Sequence, residues 1–322
     1  MKKSSRVVST LLLGATVASA STGVFAVESK EIIKEKLAGE TRFETAVEVS
    51  NKFGKADTVV LVNYTGIADA LAATPLAKMK NAPILLTEAG SLTKATADQI
   101  AKLEAKKVIV IGGETAVSKN VVKQLEELKL DVERVAGEDR YATSEAVANE
   151  MGKDGKVEKV AVVNGIKGLA DALSVAAPAA KEGMAIVLSD GTSVRAGQKV
   201  LDEAKTKYVI GGETVVSKEL TEKLGAERLA GANRNATNAE VLNKFYDAKE
   251  LDKVYVAKDG AAKENQLVDA LAAGPLAGKE GNPLVLAGSE LDKAQEAYLK
   301  DRIAKSLVEV GEGINQNTVS AI

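Results

Sequence analysis

Cysteine, histidine and tryptophan are all missing from the 322 residues. Without thiol or imidazole the chain has no disulfide, no thiolate nucleophile, no Ser-His-Asp arrangement and none of the usual zinc sites. Aromatic residues make up only 3% of the chain, too few for a carbohydrate site built on stacked rings. The formal charge is −2, so there is no basic excess to draw nucleic acid. Apolar residues reach 45%, which is enough to bury a substantial core.

One apolar run stands apart, at the start. Lys2, Lys3 and Arg6 precede the stretch Val7–Ala18, and Val24-Phe25-Ala26 follows with compact residues suited to signal peptidase. Residues 1–26 are therefore expected to be an export signal. The run falls short of the roughly 20 residues a membrane span needs, and no later segment is longer, so a secreted protein without a membrane span is expected. Cleavage after Ala26 removes three cations and no acid, taking the charge from −2 to −5. The chain ends at Ile322, just past Ser320, where the last helix of the pattern described next is expected to begin. The expectation is a longer parent protein or a dispensable helix.

The remainder repeats itself. LAGETRFETA from Leu37, VAGEDRYATS from Val135 and LAGANRNATN from Leu229 align Gly39, Gly137 and Gly231, then Arg42, Arg140 and Arg234, then Thr45, Thr143 and Thr237. IADALAATPLA, LADALSVAAPA and LVDALAAGPLA align Asp69, Asp171 and Asp269. Fourteen residues on come Pro83-Ile84-Leu85-Leu86, Ala185-Ile186-Val187-Leu188 and Pro283-Leu284-Val285-Leu286. VIGGETAVS and VIGGETVVS close the first two copies, and the degenerate VGEGINQNTVS closes the third. Three tandem units follow, at 27–134, 135–228 and 229–322.

Within a copy, short β-branched runs (Thr58–Val62, Pro83–Leu86, Val108–Ile111) alternate with helical spacing over Thr41–Phe53, Ile67–Met79, Thr96–Leu103 and Val121–Leu128. Strict alternation predicts an α/β fold whose parallel sheets carry helices on both faces. Ser118 and Ser217 stand where N-caps are expected, and Gly112-Gly113 and Gly211-Gly212 where a tight turn is.

Taken together, GETRFETA, the ADAL helix, NAPILLT and VIGGETAVS resemble the type 2 cell wall binding repeat, found in threes in clostridial surface-layer and cell wall proteins. The resemblance covers almost all of the chain after residue 26. It implies a Toprim-like α/β fold for each repeat and a pseudo-threefold assembly. It also implies noncovalent, non-catalytic attachment to an anionic secondary cell wall polysaccharide, with the Pro-Ile-Leu-Leu segment tied to that attachment. Only the first copy has this segment intact, so unequal sites are expected. Self-association into a surface layer, with other surface-layer proteins as partners, is the alternative. No cofactor is expected. Toprim-type chemistry needs closely spaced aspartates, and no Asp-x-Asp occurs in the chain.

The candidate polymer-binding residues divide by type. Pro83, Ile84, Leu85, Leu86 and Pro283 belong to a predicted central strand, so they read first as core, with positioning of the loop that follows as their functional role. Lys78 and Lys80, Lys181 and Lys279 precede this strand in the three copies, and Lys94, Arg195 and Lys293 follow it. They are either solvated surface or cationic contacts for phosphate or carboxylate. Arg42, Arg140 and Arg234 are expected to meet an internal partner, with Asp69, Asp171 and Asp269 the candidates, or to hold a ligand by a bidentate fork. The Gly-Gly turns are open to either role, plain turn or anion cradle. The loops Thr87–Ser91, Ser189–Ser193 and Ala287–Ser289, beyond the strand ends, are where parallel sheets place ligands.

Overall fold

The computed structural model describes residues 32–322; the expected export signal lies outside them. After β1 (Ile33–Leu37) the first copy runs α1 (Arg42–Asn51), β2 (Thr58–Asn63), α2 (Ile67–Met79), β3 (Ile84–Thr87), α3 (Lys94–Lys102), β4 (Lys107–Ile111), α4 (Lys119–Glu127) and β5 (Asp131–Val135). The second runs α5 (Arg140–Asp154), β6 (Lys159–Asn164), α6 (Leu169–Glu182), β7 (Ala185–Ser189), α7 (Gln198–Glu203), β8 (Thr206–Ile210), α8 (Lys218–Leu224) and β9 (Glu227–Leu229). The third runs α9 (Arg234–Phe245), β10 (Glu250–Lys258), α10 (Leu267–Glu280), β11 (Leu284–Ala287), α11 (Lys293–Lys300), β12 (Ile303–Val310) and α12 (Gln316–Ser320). The expected alternation is present, with Ser118 and Ser217 capping α4 and α8.

The strands form three four-stranded parallel sheets, ordered β3-β2-β4-β5, β7-β6-β8-β9 and β1-β12-β10-β11. The fourth strand of each was not foreseen. β1, β5 and β9 are charged and exposed or half-buried up to their last residue, the only one fully buried, so they carry no apolar run to betray them. Each precedes the Gly-x-x-Arg of one copy but completes the sheet of another. β5 and β9 close the sheets of the copies before them, and β1 lies against Ser306–Val310 of the third copy. The chain thus ties its own start to its end, and the three sheets form a closed ring.

At the centre, α2, α6 and α10 pack against one another. They are apolar almost all round, as a fully buried helix must be, and rich in small residues that allow close approach. A Cβ on Gly274 would lie 2.8 Å from Thr74 Cγ2 and 3.5 Å from Ala176 Cβ. Thr74, Ala176 and Gly274 each stand five residues after the DAL aspartate of their copy, so equivalent positions meet at one point. That point lies on the pseudo-threefold axis.

One expectation needs correction. The Pro-Ile-Leu-Leu strand β3 is an edge strand, as are β7 and β11. Ile84, Leu85 and Leu86 are nevertheless buried to 1% exposure or less, because α1 of the same copy and α10 of the third cover β3. Pro83 and Pro283 stand just before their strands, where a missing N–H costs nothing, and their carbonyls accept from Val60 and Tyr255. Before Ser320 the third copy adds a short helix where the first two have a turn. Asn315 caps α12, and Thr318 and Val319 are buried.

Candidate functional site

The shared Gly-x-x-Arg-x-x-Thr builds a tight helix entrance. Thr41, Asp139 and Asn233 cap α1, α5 and α9 through their side chains. The hydroxyls of Thr45, Thr143 and Thr237 reach back to accept from the N–H of Gly39, Gly137 and Gly231 at 3.2, 3.1 and 3.1 Å. A Cβ on any of these glycines would collide with the residue five further on. The arginine, at the first helical position, is thereby aimed out of the copy.

It faces the aspartate of the copy before. Asp69, Gly113, Gly137, Arg140 and Thr143 line one cleft of about 280 Å³. Asp171, Gly212, Gly231, Arg234 and Thr237 line its counterpart of about 310 Å³. Across the ring closure Arg42 and Lys258 act on Asp269. Arginine and aspartate thus come from different copies, and among the described residues no ion pair within 4.0 Å joins them. The arginines make other contacts as well. Arg140 donates to the Gly165 carbonyl at 2.6 Å and Arg234 to that of Asp259 at 3.1 Å. Arg42 lies 5.0 Å from the centre of the Tyr64 ring.

Burial drives the carboxyls upward. Asp171 is pushed up to about 6 by desolvation, with a hydrogen bond from Thr237 and the Arg234 charge pulling the other way. Asp269 is pushed up to about 6 by desolvation against the charges of Arg42 and Lys258. Asp69 moves the same way, raised by desolvation and opposed by Arg140. Each aspartate sits in the first turn of an axial helix, beneath the turn that ends the third strand of its own copy. A Cβ on Gly112 or Gly211 would lie 2.9 or 2.8 Å from the Asp69 or Asp171 Oδ2, and one on Gly311 would lie closer still to Asp269 Oδ2. All three glycines have positive φ. In the degenerate third copy, then, Gly311 keeps the role of Gly112.

The strand-flanking cations divide between two ends of the sheets. Lys78, Lys80, Lys181 and Lys279 lie at the last turns of the axial helices, by the amino ends of the strands. Lys80 pairs with Asp154 at 2.6 Å, Lys181 donates to the Phe245 carbonyl at 3.0 Å, and Lys279 lies 4.9 Å from the centre of the Phe53 ring. Each of these three contacts joins two copies. Lys94, Arg195 and Lys293 lie at the carboxyl ends, on the face that holds the clefts. Lys94 pairs with Asp98, while Arg195 meets Asp190 at 2.9 Å and lies 5.1 Å from the centre of the Tyr141 ring. Strands of four or five residues separate the two groups by roughly 15 Å. One residue pair in this region went unforeseen. Asn63 and Asn164, at the ends of β2 and β6, each donate at 2.7 Å to a carbonyl of the Gly-Gly turn region, Ala116 or Val215. Their common place before a turn was the only signal.

Among the described residues no group of three or more acidic side chains could hold a metal ion, and no helix is long and apolar enough to cross a membrane.

The comparisons with known proteins agree with this geometry. The chain is 41% identical to Cwp8 from Clostridium difficile, with a TM-score of 0.84 over 90% of this chain and 51% of that one. Cwp6 from the same organism gives 32% identity and the same TM-score over 90% and 48%. The N-acetylmuramoyl-L-alanine amidase LytC of Bacillus subtilis is 32% identical over 80% of this chain and 50% of its own length. The amidase enhancer of that organism is 31% identical over 87% and 39%. The chain thus spans half or less of the length of these two curated relatives. The model of Cell wall binding domain 2 (CWB2) matches three times, over residues 36–122, 134–221 and 228–319. These matches cover most of the chain and follow its three copies, so the chain belongs to the Cell wall binding domain 2 family and is a cell wall binding module.

Proposed function

We propose that the chain is exported and attaches noncovalently to an anionic secondary wall polysaccharide, held by the clefts between its copies. The observation that carries this reading is the repetition of one arrangement around the ring. At two junctions an arginine from one copy and a largely buried aspartate from the preceding copy frame a polar space on the carboxyl-end face, and Arg42 and Asp269 repeat the pairing at the third. Arg140 and Arg234 are exposed there, and beyond the one carbonyl each already holds they keep guanidinium donors for carboxylate, phosphate or hydroxyl groups. Lys94, Arg195 and Lys293 on the same face form a cationic rim. The buried Pro-Ile-Leu-Leu strand acts indirectly, holding the loop that follows it and filling a copy–copy interface. Lys80, Lys181 and Lys279 hold copies together, and Lys78 adds to the charge at that end.

Several linked sites on one rigid ring suit a repeating polymer, because each engaged site raises the effective concentration for the next. The test is a pull-down of purified, protein-free wall polysaccharide with the intact chain. The polymer is expected in the bound fraction, with binding that weakens as salt rises. Failure to capture it sinks the reading, and ordered lattices formed without polymer favour self-association instead.

A further inference from the structure

The third copy differs from the other two at one spot on the ligand face. The residue after the Gly-x-x-Arg arginine is Phe43 in the first copy and Tyr141 in the second, but Asn235 in the third. In the first copy Phe43 stacks edge-on with Tyr64 at 5.5 Å, and Arg42 covers the same ring. In the second, Tyr141 is covered by Arg195, which Asp190 holds. Strand register equates Glu88, Asp190 and Gly288, and likewise Tyr64, Gly165 and Asp259. The third copy therefore replaces an aromatic ring with an amide and a charged side chain with glycine.

The result is open space. A cavity of about 410 Å³ runs from Arg234 past Asn235 and Asp259 to Gly288 and Asp292. A second, of about 370 Å³, continues from Asp259 and Gly288 to Lys258. Arg234 also borders the cleft between the second and third copies, so the three spaces adjoin. Gly288 is the floor that both polar side chains approach: a Cβ there would lie 3.1 Å from Asp259 Oδ2 and 3.8 Å from Asn235 Nδ2. Asp259 Oδ1 already accepts from Ala261 N–H at 2.9 Å. Its Oδ2 has no hydrogen bond among the described residues, so it remains available to a donor.

Acceptors outnumber cations along this groove, which disfavours phosphate and suits hydroxyl donors. We propose that the third copy alone carries an additional subsite, in which Asp259 and Asn235 bind uncharged sugar residues of the polymer while Arg234 and Lys258 mark its two ends. This rests on the polysaccharide reading above and adds the class of residue recognised and the copy responsible. The third copy, degenerate in its closing turn, then supplies a specificity that the other two lack.

The test uses oligosaccharides released from purified wall polysaccharide by mild acid and then dephosphorylated, with inorganic phosphate as the contrasting probe. Amide NMR on the intact chain is expected to show saturable shifts at Gly288, Ser289 and Ala261 with the oligosaccharides, and none there with phosphate. Asn235→Tyr, which restores the bulk found in the second copy, is expected to weaken oligosaccharide binding about tenfold or more, the scale of losing a hydrogen bond or two. Asp259→Asn, nearly the same shape, is expected to weaken it as well and guards against misfolding of the first variant. Phosphate shifting these amides as strongly as sugar overturns the inference, and so does oligosaccharide leaving them unmoved in a chain that still captures whole polymer. A chain that captures no polymer at all fails the polysaccharide reading itself, which separates the two failures.

Discussion

Asp171 belongs to the second copy and Arg234 to the third, yet they line one cleft, and Asp69 with Arg140 repeats the arrangement one step earlier. Each of these two clefts is therefore a junction, built from two copies.

The closed ring makes the first strand indispensable to the last copy. β1 pairs along its whole length with β12, so deleting residues 32–38 leaves the third sheet with three strands and a new exposed edge. Thermal melting of the truncated chain is expected to fall well below that of the parent. Hydrogen exchange should speed up most at Leu307–Val310. Equal melting temperatures would mean that the ring does not depend on its closure.

Much of this was legible beforehand, and what was hidden has a physical cause. The alternation of elements, the caps at Ser118 and Ser217 and the threefold repeat all leave periodic or positional marks. β1, β5 and β9 leave none, because only the last residue of each is buried. Leu85 and Leu86 looked central because they are fully buried; helices, not neighbouring strands, provide that burial on the open side. The arginines and aspartates were visible as aligned residues, but their encounter across copies depends on ring closure, which no local pattern encodes.

The turn glycines separate backbone constraint from mere occurrence. Gly211 has φ +108 and faces Asp171 Oδ2, whereas a Cβ on its neighbour Gly212 meets nothing within 4 Å. Gly211→Ala is expected to cost about 2 kcal/mol or more, and Gly212→Ala to stay within about 0.5 kcal/mol. Denaturant unfolding of the two variants decides this, and equal effects would contradict it.

At the axis, Gly274→Ala places a methyl against Thr74 Cγ2 and is expected to destabilise by about 1–3 kcal/mol. Thr74→Ser removes that methyl and keeps a hydroxyl able to donate to the Ala70 carbonyl, as Thr74 does. Added to Gly274→Ala, it should recover at least half the loss. A double-mutant cycle with no coupling would place the two residues apart.

The raised carboxyls give stability a defined pH dependence. Asp171 and Asp269 titrate near 6 in the folded chain against an ordinary value of 3.8. The folded state therefore holds these protons more tightly, and the favourable contribution is complete below about pH 4 and lost as pH rises through 6. Between pH 5 and 7.5 the parent should lose roughly 1 kcal/mol per carboxyl that an Asp171→Asn, Asp269→Asn variant does not lose. Parallel pH profiles for the two proteins would show that these groups are not the source.

The most direct test of the junction sites is sedimentation with isolated cell walls, comparing the parent chain with Arg140→Ala, Arg234→Ala. Both arginines are exposed, so circular dichroism and melting should confirm that the fold survives. The double variant is expected to lose retention at least tenfold at physiological salt, while an Arg195→Ala, Lys293→Ala chain, altered only at the rim, loses less. A folded double variant that pellets with walls as fully as the parent would contradict binding at the junctions.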